Sequence, residues 1–174
     1  MPAEVIKVVV GGPFGAGKTT FVQTVTADSV GAEREVTDAT SALKQRTTVA
    51  MDHGTARLDD DTVVTLFGTP GQERFSFMWP VLSTGMSAYV LLVDASRLQA
   101  LAQLRSIVRQ FQGFAPDVPF VVAANRWDQS AQSPAEVAAF VGIDEAALVQ
   151  CDPRDPADCE RVLRHLLGSV ALAR

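Results

Sequence analysis

The chain has 174 residues, 47% of them hydrophobic and 20% charged, and carries a net charge of −5. That length and apolar content fit a folded globule with a substantial core and exclude a disordered segment, while the acidic balance argues against general nucleic-acid or anionic-membrane binding. No apolar run is long enough to span a bilayer, and two cysteines without CxxC spacing, Cys151 and Cys159, are too few for a disulfide framework and fit a reduced, cytoplasmic setting.

In chain order, Val5 to Val10 is almost wholly apolar, broken only by Lys7, as expected of a strand buried in a parallel sheet. It begins so early that a leader peptide is not expected, and Pro2 and the Ala171-Leu172-Ala173-Arg174 end carry no lipidation signal, so no direct membrane anchor is expected either. Gly12-Pro13-Phe14-Gly15-Ala16-Gly17-Lys18-Thr19 follows, and Thr19 to Val25 suits a helix. A polar segment, Ala27 to Thr48, leads into two strands, Val49 to Leu58 and Thr62 to Phe67, joined by the acidic turn Asp59-Asp60-Asp61 as an antiparallel hairpin. Phe75, Met78, Trp79 and Leu82 share helical spacing, which predicts a helix face on the core, and Phe77 lies off that stripe as a candidate partner contact.

Tyr89 to Val93 and Phe120 to Ala124 are short continuous apolar runs, the mark of central parallel strands, and Ala147 to Cys151 reads as a last strand. Between them, Leu104, Ile107, Val108 and Phe111 form one helical stripe, and Cys159, Val162, Leu163, Leu166 and Val170 form another. Ser133-Pro134 suits an N-cap followed by a first-turn proline. The whole is expected to be α/β: a mostly parallel six-stranded sheet with one antiparallel edge strand and helices on both faces, forming one domain over residues 1–174. In such sheets ligands collect at the carboxyl ends of the strands.

The glycine-rich stretch sits at such an end and matches GxxxxGK[ST], the P-loop pattern of nucleotide-binding proteins. Gly12, Gly15 and Gly17 allow a tight turn with N–H groups pointing inward, and the following helix adds the positive end of its dipole. The candidate phosphate contacts are Gly12, Phe14, Gly15, Ala16, Gly17, Lys18, Thr19 and Thr20, with Lys18 reaching the β- and γ-phosphates and Thr19 ligating Mg²⁺. This loop alone does not separate GTPases from ATPases or small-molecule kinases, although a kinase would want an arginine-bearing lid, and no such insertion stands between the strands. After the Phe120 to Ala124 strand, Asn125-Arg126-Trp127-Asp128 places an Asp carboxylate able to accept both N1–H and the N2 amine of guanine, a pair that adenine does not offer.

Taken together with Gly68-Thr69-Pro70-Gly71-Gln72-Glu73 and Thr47-Thr48, these motifs make the chain resemble a Ras-like small GTPase over nearly its whole length. The resemblance implies a small G-protein fold, GTP/GDP and Mg²⁺ as ligands, and slow, partner-stimulated GTP hydrolysis in a signalling switch. It implies Thr48 on Mg²⁺ and the γ-phosphate, Gly71 as the γ-phosphate sensor and Gln72 orienting the attacking water, with Lys18 stabilising charge. Asn125, Arg126 and Asp128 match the base-recognition motif, and Asp152, Pro153 and Arg154, after Cys151, occupy the last guanine-binding loop. The run Phe67 to Phe75, with Phe77-Met78-Trp79, is similar to bacterial conservon-type GTPases related to the gliding-motility GTPase MglA, which implies a roadblock (longin-like) protein partner.

The chain also departs from that family. Gly68 stands where small GTPases carry an Asp that holds a magnesium-bound water, so weaker metal binding is expected. Phe14 replaces a small residue and is expected to slow hydrolysis by obstructing an arginine finger, while Arg46 reads either as an internal finger or as an ordinary solvated residue. Pro153 has no N–H for the guanine O6: either the register shifts to Arg154 or guanine selectivity softens. A degenerate relative that binds nucleotide without hydrolysing it fits the same departures. His53 and His165 have no neighbouring ligand set, and the acidic turn reads as a solvated hairpin tip.

Overall fold

A computed structural model of the chain describes residues 2–26 and 52–172. Within them, six strands form one sheet in the order β2-β3-β1-β4-β5-β6. The strands are β1 (Glu4–Gly11), β2 (His53–Asp59), β3 (Thr62–Gly68), β4 (Ala88–Asp94), β5 (Phe120–Asn125) and β6 (Leu148–Gln150). All neighbours run parallel except β2 against β3, so the antiparallel edge falls where the hairpin was expected. The helices are α1 (Lys18–Thr26), α2 (Trp79–Leu82), α3 (Leu98–Phe114), α4 (Pro134–Val141) and α5 (Pro156–Leu172).

The sheet is buried on both faces because its central strands are apolar over most of their length. All seven residues of β4 are buried, and its alternation divides them between two cores. Ala88, Val90 and Leu92 join Val8 and Val10 of β1 under α1 and α5, while Tyr89, Leu91 and Val93 join Val9 under α3 and α4. The stripes foreseen on α3 and α5 are the buried faces of those helices. The α4 start is an N-cap: Ser133 Oγ accepts the Glu136 N–H at 3.2 Å, with Pro134 next in line.

One expectation fails. Residues 73–82 do not form a single helix with a core-facing stripe: Glu73–Met78 is a 3₁₀ segment and only Trp79–Leu82 is α-helical. Pro80 has no N–H to carry an α-helix in from upstream, and of the four stripe residues only Trp79 is fully buried. Trp79 donates from Nε1 to the Pro70 carbonyl at 3.0 Å, anchoring the start of this segment to the core. Phe77 projects outward, 72% exposed. Strand boundaries lie within a residue or two of those expected except at β2, which was expected from Val49 and runs from His53 among the described residues. Residues 27–51, which include Arg46 and Thr48, lie outside the described residues.

Candidate functional site

The carboxyl ends of β1, β3, β5 and β6 gather the sequence motifs on one rim of the sheet. After β1 the chain turns sharply at Gly12, whose φ of +136° and whose position against Leu92 exclude a side chain: a Cβ there would stand 2.1 Å from the Leu92 carbonyl oxygen. The loop then delivers Lys18 as the first residue of α1. The Lys18 ammonium is buried in the concavity and donates to the carbonyls of Gly12 (2.7 Å) and Pro13 (2.9 Å). Burial lowers its pKa to about 8, a fall partly offset by the negative charge of Asp52. Gly71 rides directly over this group, since a Cβ at that position would lie 2.5 Å from Lys18 Nζ and 3.1 Å from the Phe14 Cα. A side chain at residue 71 would displace the Lys18 ammonium and crowd the loop backbone, which glycine avoids.

The Thr19 hydroxyl, at the mouth of the loop, donates to Asp52 Oδ2 at 2.6 Å. Asp52 precedes β2 and continues its pairing with β3, for the Gly68 N–H donates to the Asp52 carbonyl at 2.7 Å. A Cβ built on Gly68 would come within 3.1 Å of the Asp52 Cβ. Asp52 thus places a carboxylate from the facing strand in the small space beside Gly68 and Thr19. Sequence reasoning missed Asp52. The signal was present: His53 pairs with Phe67, so Asp52 and Gly68 stand equally far on either side of the Asp60 hairpin tip.

Gln72 lies at the start of the 3₁₀ segment, and its Oε1 accepts a hydrogen bond from Arg74 Nε at 2.7 Å. The Arg74 guanidinium also sits over the Phe75 ring, 4.8 Å from its centre. Phe14 is 71% exposed and flanks Gly71 and Gln72, where a second cleft runs between the loop and α3.

The other half of the rim is a cleft of about 890 Å³. It is lined at one end by Gly15, Gly17 and Thr20 and at the other by Asn125, Arg126, Asp128, Asp152, Pro153 and Arg154. Three of the loop residues named from the sequence, Gly15, Gly17 and Thr20, are therefore brought together with the base-motif residues in one concavity, while Phe14 lines the second cleft and Gly12, Ala16, Lys18 and Thr19 line neither. Arg126, with φ +54°, is the single non-glycine residue with left-handed backbone among the described residues. Its N–H is held by Asn125 Oδ1 at 2.8 Å, and the kink converts the strand end into the 3₁₀ turn Trp127–Gln129 that carries Asp128. The Arg126 guanidinium is drawn to the buried Asp94 carboxylate (3.1 Å), another residue the sequence did not flag. Pro153 packs against Gly17, and its carbonyl accepts the Thr24 hydroxyl at 2.6 Å, which ties the last loop to α1.

Magnesium would suit the Thr19–Asp52 corner: a hydroxyl and a carboxylate are hard oxygen donors, and this ion is usually held by one or two carboxylates plus phosphates. Among the described residues no three His, Cys, Asp or Glu side chains cluster as a metal cage. His53 stacks on Phe67 with its ring centre 4.2 Å away, and burial lowers its pKa; His165 Nε2 lies 2.9 Å from the Ala146 carbonyl. Neither histidine approaches the cleft lining. No helix among the described residues is long and apolar enough to cross a membrane.

A family described as conserved hypothetical ATP binding protein matches residues 26–172, a match that begins beyond the phosphate loop. An uncharacterized protein of Methanocaldococcus jannaschii is 32% identical over 97 residues, which is 56% of this chain and 56% of that relative. The alignment thus spans little more than half of the relative's length.

Proposed function

The chain belongs to the family of conserved hypothetical ATP-binding proteins and is a nucleotide-binding P-loop protein, and from that premise we propose that it is a guanine-nucleotide switch that hydrolyses GTP slowly. The observation that carries this reading is the cleft that has Gly15, Gly17 and Thr20 of the glycine-rich loop and the start of α1 at one end and Asn125 and Asp128 at the other. The family description speaks of ATP; the guanine reading rests instead on Asp128, whose carboxylate can accept the two adjacent donors of guanine and would meet only an acceptor and a C–H on adenine.

In this reading the γ-phosphate is met by Lys18 and by the Gly71 N–H, which the absence of a side chain allows close to the loop. Thr19 and Thr48 would hold Mg²⁺, with Asp52 orienting the Thr19 hydroxyl; the ion would neutralise phosphate charge. Gln72 orients the attacking water, and its release from Arg74 precedes that step. Closure and release of the segments around Thr48 and Gln72 would convey the nucleotide state to a protein partner of the roadblock type, in a cytoplasmic signalling role, with residues 1–174 acting as one G domain. The alternative of a binding module without hydrolysis draws support from the same Arg74 contact, because it engages the Gln72 oxygen that would accept a hydrogen bond from the attacking water.

The test is to identify the nucleotide that co-purifies with the protein, then to compete GTP against ATP with magnesium present and follow phosphate release in single turnover. GTP preference with slow release supports the switch. Equal or stronger ATP binding overturns the guanine assignment, and GTP binding without phosphate release converts the switch into a binding module.

A further inference from the structure

The loop after β6 satisfies its own backbone donors. The Cys151 N–H goes to the Ala124 carbonyl at 3.0 Å, and the Asp155 N–H goes to the Asp152 carbonyl at 3.0 Å. The Asp152 N–H is taken by Asp158 Oδ2 at 2.9 Å, and the Arg154 N–H by Asp152 Oδ1 at 3.0 Å. Pro153 has none. A purine keto oxygen facing residues 151–155 therefore meets no free main-chain donor, so neither a backbone N–H at 153 nor a register shift to the N–H of 154 supplies one.

What the loop does offer is a guanidinium held in a fixed attitude. Arg154 Nε lies 3.0 Å from Asp152 Oδ1 and Arg154 Nη2 lies 3.0 Å from Asp152 Oδ2, a two-point pairing along one edge of the guanidinium. Its other edge, the parallel N–H groups of Nη1 and Nη2, is not used by Asp152. Both residues line the cleft that Asn125 and Asp128 also line. An arginine fork matches the O6 and N7 acceptors of guanine and is repelled by the 6-amino group of adenine.

Building on the guanine reading above, we propose that Arg154, aimed by Asp152, is the specificity-determining residue for the O6/N7 edge of the base, replacing the main-chain donor that this loop lacks. Asp128 then reads the N1/N2 edge, so the two edges of the base are recognised by two side chains of opposite charge. Because Arg154 is 81% exposed, removing it leaves the core intact.

Displacement of a fluorescent guanine nucleotide from the full chain, with magnesium present, tests this with four triphosphates. GTP and ITP carry O6; 2-aminopurine riboside triphosphate keeps the N2 amine and lacks O6; ATP carries the 6-amino group. In Arg154→Ala, GTP and ITP are expected to weaken about tenfold or more, the worth of a two-point arginine–guanine contact. The 2-aminopurine nucleotide should change far less, and Arg154→Lys, which keeps the charge and loses the fork, should rescue GTP only in part. A common loss for all four nucleotides, or an unchanged ratio of GTP to 2-aminopurine affinity, would overturn the assignment. Failure of the guanine reading itself looks different: the unmutated chain would then bind no guanine nucleotide, or would bind ATP as tightly as GTP.

Discussion

Exchanging the carboxylate between the two strands of the hairpin is the sharpest test of the candidate metal corner. Asp52→Ala removes the group that accepts the Thr19 hydroxyl at 2.6 Å. Loss of such an orienting carboxylate typically weakens metal affinity by about 10–100-fold, or about 1.4–2.7 kcal/mol. Gly68→Asp alone should be harmful rather than helpful. Its Cβ would sit 3.1 Å from the Asp52 Cβ and 3.5 Å from Asp52 Oδ2. Two carboxylates about 4 Å apart repel by about 4 kcal/mol at an effective dielectric near 20, so one must move away or bind a proton. In the double variant Asp52→Ala/Gly68→Asp the charge repulsion is gone and the new carboxylate can enter the space the old one left. The 3.1 Å approach of the two Cβ atoms remains, so part of the lost affinity should return. The assay is the dissociation rate of a fluorescent nucleotide as free magnesium is lowered with EDTA, for all four proteins. The magnesium midpoint should rise in both single variants and fall partway back in the double one. A midpoint in Asp52→Ala equal to that of the unmutated chain would refute the reasoning, and the expectation of a weak metal site, drawn from Gly68 alone, would then stand.

Lys18 gives a pH prediction. Burial holds its pKa at about 8, below the ordinary lysine value, and a triphosphate beside it raises that pKa again. The bound form then holds the proton more tightly than the free form, so affinity is greatest below about pH 8 and declines as pH rises through that value. Titration calorimetry just above that pH, in buffers of differing ionisation heat, should show proton uptake, and its absence would mean Lys18 does not meet the phosphates. Gln72→Leu should slow single-turnover phosphate release by about 10²-fold or more, whereas Arg74→Ala, which frees Gln72 Oε1, should accelerate it; deceleration would make Arg74 a support for Gln72 rather than a restraint. Phe77→Ala should weaken binding of a protein partner without lowering Tm, since the ring is 72% exposed, and a fall in Tm would return Phe77 to a structural role.

The six strands, the antiparallel edge and the helices on both faces were legible because they rest on continuous apolar runs and helical stripes, which need no partner to be recognised, whereas the order of the strands in the sheet was not read from the sequence. Val90 and Leu92 face one core and Tyr89 and Leu91 the other purely by strand alternation. The stripe at Phe75, Met78, Trp79 and Leu82 misled for a physical reason: periodicity says nothing about whether Pro80 allows an unbroken helix, and only Trp79 had to be buried to anchor Pro70. Motif residues were legible where their spacing is local, as in the phosphate loop. Asp52, Asp94 and Asp158 were not, because each acts on a residue far along the chain or out of motif register: Thr19, Arg126 and Asp152 respectively.

Those three aspartates share one logic, and on the guanine-nucleotide reading proposed above it explains how a chain can depart from the small-GTPase motifs and keep the arrangement they serve. Each recognition element here is a local motif completed by a carboxylate from elsewhere. Asp52 stands beside Thr19 where residue 68 has no side chain, and Asp94 pairs with the guanidinium of Arg126. Asp158 occupies the Asp152 N–H, while the Asp152 carboxylate orients Arg154 beside a proline that has no N–H to give. The acidic balance of the chain thus has a local use at the site: carboxylates position hydroxyls, guanidiniums and backbone donors, and on the proposed reading the buried Lys18 is left to meet the phosphates. An account that treats Gly68, Arg126 and Pro153 as independent defects expects a degenerate protein. An account that pairs each with its carboxylate expects a working site, and the behaviour of Asp52→Ala with and without Gly68→Asp separates the two.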